Sequence, residues 1–98
     1  MSKKINVFER ADYTERILNA VEMAEGNKML ITDIYTAIMG ENVYTPTVAR
    51  QFALAILEDI VKMQTEGWLN LTDNDQMEME LTGAGFYQVK YLKNLKKP

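Results

Sequence analysis

The sequence predicts a mainly α-helical domain with one small β-hairpin, an α+β fold, and two observations predict it. Residues 45–66 carry an apolar pattern of helical period with no Gly or Pro after the opening Thr45-Pro46, and Gly67 follows. From Trp68 to Leu81 the period drops to two. Leu69 and Leu71 alternate with Asn70 and Thr72, TDND supplies a turn, and Met77, Met79 and Leu81 alternate with Glu78 and Glu80. Ninety-eight residues are enough for a single modest core, so one domain is expected over 1–98, with basic ends at 1–5 and 96–98 that fray.

Taken in order, Asn6 with Glu9 and Asp12 with Glu15 offer capping-box starts for a first helix running to about Glu25. Its apolar stripe is Tyr13, Ile17, Ala20, Val21 and Ala24, and Gly26 with Asn27 ends it. Met29, Leu30 and Ile31 read as one short buried strand. Thr32 reads as the N-cap of a second helix that turns Ile34, Tyr35, Ile38 and Met39 inward and stops at Gly40. Val43 or Tyr44 is expected to plug the angle before the long helix, for which Thr45 is the N-cap and Pro46 the first residue. The long helix turns Ala49, Phe52, Ala53, Ile56, Ile60 and Met63 to the core. Trp68 is expected to seal the base of the hairpin. Thr82 caps a last helix with two apolar lines, Phe86, Val89 and Leu92, and Tyr87, Tyr91 and Leu95.

Composition narrows the function. The chain has neither Cys nor His, which removes thiolate metal sites, disulfides and the commonest general base, and no enzyme, metal or cofactor is expected. Asp73 and Asp75 have the spacing of a calcium-loop opening but lack the glycine and the closing acid such a loop needs. GAGF lacks the third glycine of a dinucleotide fingerprint. The opening MSKKINVFER has no apolar run, and no stretch approaches the roughly 20 apolar residues of a membrane span, so a cytoplasmic location is expected.

Charge is unevenly spread. The body from Glu9 to Glu80 holds all 14 acidic residues against five basic ones, a net of −9, while six lysines lie outside it. Such a body fits poorly with DNA binding through a broad phosphate surface.

The short helix after ITD, the TPTVAR entry, the EGWLNL exit and the LTGAG step into the last helix resemble the joints of winged helix-turn-helix proteins, in particular small regulators of the MarR and PadR kind. The resemblance covers roughly Tyr13 to Leu95. It implies the order helix, short strand, helix, helix, hairpin, helix, with 45–66 as a recognition helix in the major groove of double-stranded DNA. Thr45, Thr47, Arg50 and Gln51 would then contact DNA, Arg50 suiting guanine and Gln51 adenine. Asp73 and Asp75 would sit at the wing tip, where carboxylates repel phosphate.

Beyond Gln51 the outer side of the long helix turns apolar through Leu54, Leu57 and Val61. That line needs a cover, either from the first or last helix of the same chain or from a second copy in a homodimer that also uses Tyr87 and Tyr91. The acidic body leaves open an alternative partner, a protein, with the chain acting as an adaptor, an antagonist or an acidic DNA mimic.

Overall fold

The computed structural model describes residues 4–73 and 75–96, with Asp73 described by its backbone alone. The chain folds as α+β. Strand β1 is Lys4–Ile5, helix α1 Thr14–Met23, strand β2 Lys28–Leu30, helix α2 Ile31–Met39, and strand β3 Val43–Tyr44. Helix α3 follows over Pro46–Thr65, then strands β4, Leu69–Asp73, and β5, Glu78–Leu81, and helix α4, Gly83–Leu95. The expected helix order and the hairpin are present, while the short strand runs over Lys28–Leu30 and not Met29–Ile31 and is half-buried at Met29 and Leu30.

The long helix forms where its signals lie. The Thr45 hydroxyl accepts the Val48 N–H, Pro46 opens the first turn, and past the end of the helix Gly67 takes φ 80°, a backbone conformation that glycine adopts without a Cβ clash. At 20 residues the helix is about 30 Å long. Ile56, Ile60 and Met63 are fully buried and Phe52 is half-buried, as their spacing predicts. They meet Ile17, Leu18 and Val21 of α1, Ile34 of α2, Leu69, Met79 and Leu81 of the sheet, and Val89 of α4 in one apolar core.

The sheet is larger than a hairpin. β2 pairs antiparallel with β5, which pairs with β4, giving three strands in the order β2-β5-β4. The strand after α1 therefore fixes the hairpin to the helices. Met77 departs from its expected place on the buried face. It is 43% exposed at φ 54°, in the turn before β5, and its carbonyl accepts the Ile31 N–H at 2.9 Å.

That bond lies at the start of α2. The helix begins at Ile31 and not after Thr32, and the Met77 carbonyl accepts the Ile31 N–H, one of the amides that the first turn leaves without a partner inside the helix. Helix α1 begins at Thr14, whose amide donates to the Asp12 carboxylate at 2.9 Å, and ends at Met23, two residues short of Glu25. No helix starts at Asn6. Residues 6–13 instead run across α3, where Phe8 meets Phe52 edge to face at 5.0 Å.

Lys4 and Ile5, placed in a fraying end by the sequence, are paired. β1 pairs parallel with β3, Lys4 opposite Val43 and Ile5 opposite Tyr44, and the Thr45 N–H donates to the Ile5 carbonyl at 2.9 Å. Lys96 forms an ion pair with Glu15. Val43 faces outward, and it is Tyr44 that fills the angle before α3, its ring 4.8 Å from that of Phe52.

Candidate nucleic-acid interface

The first turns of α3 leave the body of the protein with their polar side outward. Thr47, Arg50 and Gln51 are exposed, while Thr45 is half-buried because its hydroxyl is engaged as the cap. Val48, one position away from Thr47, is buried and anchors this end of the helix. The arrangement presents a guanidinium, an amide and a hydroxyl from adjacent turns of one rigid helix. This is the donor and acceptor chemistry that reads base edges and phosphates.

Further along α3 the outer line divides. Leu54 is 55% and Val61 51% exposed, whereas Leu57 is half-buried against the core. Of the three, Leu57 is the one that packs partly against the chain's own core. The chain's own first and last helices leave Leu54 and Val61 open.

On α4, Tyr87 and Tyr91 are exposed, with Leu95 and the edge of Phe86 beside them. Of the line Phe86, Val89 and Leu92, the last two pack inward, while Phe86 is 43% exposed. The opposite side of α4 is fixed to α1 by Lys93, whose ammonium lies 2.8 Å from the Glu22 carboxylate. It is fixed to the start of β4 by Gly85, where any Cβ would lie 2.6 Å from Leu81 Cδ1 and closer still to the Trp68 carbonyl oxygen.

Asp59 is the residue that the sequence pattern missed. It is 6% exposed, on the inner side of α3. Its carboxylate accepts two bonds from Arg10, at 2.7 and 3.3 Å, and one from the Tyr13 amide at 2.9 Å. The Asp59 carboxylate raises the Arg10 pKa further above its already high ordinary value. The Arg10 and Arg16 guanidiniums lie over the Tyr13 ring at 5.9 and 6.0 Å, and burial raises the Tyr13 phenol pKa. Only its neighbour Ile60, which shares the buried face, hinted that position 59 turns inward.

Among the described residues no group of three or more acidic side chains is placed to hold a metal ion. The wing tip expected at Asp73 and Asp75 includes Asn74 and the Asp73 side chain, which lie outside the described residues. Among the described residues no helix is long and apolar enough to cross a membrane. Searches with family models, against curated proteins and against solved structures gave no match.

Proposed function

We propose that the chain is a winged helix-turn-helix regulator that binds double-stranded DNA as a homodimer in the cytoplasm, with α3 as the recognition helix. The observation that supports it best is the polar opening of α3. Thr47, Arg50 and Gln51 project from a capped, anchored helix end that the rest of the fold leaves uncovered. The sheet order agrees with the reading, because β2 ties the hairpin beside the α2–α3 pair as a wing requires. A homodimer joined through Tyr87 and Tyr91 would supply the second recognition helix that a single arginine on each α3 makes necessary.

The test is titration of a random-sequence duplex at about 50 mM salt, where non-specific binders of this kind have dissociation constants of about 10⁻⁴–10⁻⁶ M or tighter. Arg50→Ala is expected to weaken binding by about 1–3 kcal/mol without changing the fold. Absence of any binding by the unaltered chain would refute the reading.

One observation favours a protein partner instead. Leu54 is exposed one turn beyond Arg50, and the body around it carries the net charge of −9. On that reading the chain displaces DNA from another regulator and has no affinity for DNA alone.

A further inference from the structure

Residues 4–13 are held along the outer end of α3 by three separate attachments. The parallel pairing of β1 with β3 is the first, extended by the bond from the Thr45 N–H to the Ile5 carbonyl at 2.9 Å. The second is Phe8 on Phe52, and the third is Arg10 on the buried Asp59 carboxylate. A chain end is ordinarily ordered only where something ties it down. Here the ties span α3 from its cap to its fourteenth residue, Asp59.

The alternation within the β1–β3 pair decides which way its side chains point. Ile5 and Tyr44, opposite one another, are half-buried, and Tyr44 packs on Phe52; Lys4 and Val43, also opposite one another, are exposed. Neighbouring strands lie about 4.8 Å apart, so the Lys4 backbone is one strand spacing from Val43, which lies two residues upstream of the Thr45 cap. Lys4 forms no ion pair with any carboxylate among the described residues. From Val43 the chain passes through Tyr44 and Thr45 directly into the exposed Pro46 and Thr47.

We infer that this N-terminal strap is part of the nucleic-acid-binding surface, with the Lys4 ammonium contacting a backbone phosphate beside the recognition helix. The inference rests on the DNA-binding reading of α3 and adds a partner atom to it. It also answers a shortage in that reading, since Arg50 is the one basic side chain on α3 before Lys62 and Glu41 lies two residues before Val43. The strap sets a second positive charge beside the groove-facing turns, and because the strand is already paired, binding orders only a side chain. A phosphate contact positions without reading sequence, so its signature is a salt effect common to all duplexes.

The experiment measures affinity of the full chain for a random-sequence duplex of about 30 base pairs across a series of salt concentrations, for the unaltered protein, Lys4→Ala, Lys4→Arg and Arg50→Ala. Lys4→Ala is expected to make the slope of log K against log salt shallower by about 0.9 per bound protomer and to weaken binding several-fold at about 50 mM salt, with an unchanged thermal melt. Lys4→Arg is expected to restore the slope. If Arg50→Ala weakens binding while Lys4→Ala leaves slope and affinity as they were, the strap lies outside the interface and the inference fails, although α3 still binds DNA. If the unaltered chain binds no duplex, the reading of α3 fails and the inference falls with it.

Discussion

Arg10 and Asp59 stand 49 positions apart in the chain, and the guanidinium of one lies 2.7 Å from the carboxylate of the other. Asp59 is buried and Arg10 about half exposed, so the pair differs from a surface ion pair in what its loss leaves behind. Without Arg10 the carboxylate keeps the Tyr13 amide as its one remaining protein donor. Without Asp59 that amide loses its acceptor, beneath the core. Arg10→Ala is expected to destabilise the fold by about 1–2 kcal/mol and Asp59→Ala by about 2–3 kcal/mol, read from urea midpoints. Equal stability of Asp59→Ala and the unaltered chain would show that the contact is dispensable.

Gly85→Ala tests the approach of α4 to the sheet. A methyl group there meets the Trp68 carbonyl, which is backbone and cannot swing aside, so the helix must shift. The gain of about 1 kcal/mol that alanine brings to an ordinary helix position is outweighed, and a net loss of about 1–3 kcal/mol in thermal or urea unfolding is expected.

Tyr87 and Tyr91 are 77% and 57% exposed, so charged replacements there leave the core of the chain unaltered. Tyr87→Glu with Tyr91→Glu is expected to convert a dimer to a monomer in sedimentation at micromolar concentration, while the melt of the monomer unit stays near that of the unaltered protein. If the unaltered chain sediments as a monomer at the highest soluble concentration, association through α4 is excluded.

Stability is expected to fall at both ends of the pH range, for different groups. Hydrogen bonding from Thr14, whose amide donates to it, lowers the Asp12 carboxyl pKa below its ordinary 3.8. A lowered folded-state pKa means that the stabilisation is present above pH 3.8 and disappears as the pH falls through the folded value. Burial raises the Tyr13 and Tyr35 phenols above their ordinary 10.0, so their contribution is complete below pH 10 and is lost as the pH rises past it. Urea midpoints should show both losses. Asp12→Asn should flatten the acid side alone, and Tyr35→Phe should reduce the alkaline one.

The parts of the fold legible in the sequence are those whose cause is local. Thr45, Pro46 and Gly67 bound α3 within one stretch of chain, and Thr82 opens α4 in the same way, its hydroxyl accepting the Gly85 amide at 2.9 Å. The exposure of Thr47, Arg50 and Gln51 followed from helical geometry alone. What escaped depends on distant segments. Lys4 and Ile5 form a strand only because Val43 and Tyr44 lie alongside, and Asp59 turns inward only because Arg10 arrives to meet it. Met77 alternates correctly with its neighbours yet leaves the buried face, because its carbonyl is committed to Ile31. The line Leu54, Leu57 and Val61 needed a cover that the sequence could not assign, since it shows the spacing of side chains but not the width of the surface that covers them.

Thr82 does more than begin a helix. Its hydroxyl donates to the Gly67 carbonyl at 2.5 Å and its amide to the Trp68 carbonyl at 3.1 Å, so one residue clasps the exit of α3 to the entry of α4. Two copies joined along α4 would behave as a caliper with a locked joint. The gap between their α3 helices would be set by the clasp, and a duplex whose grooves did not match it would have to bend to the protein.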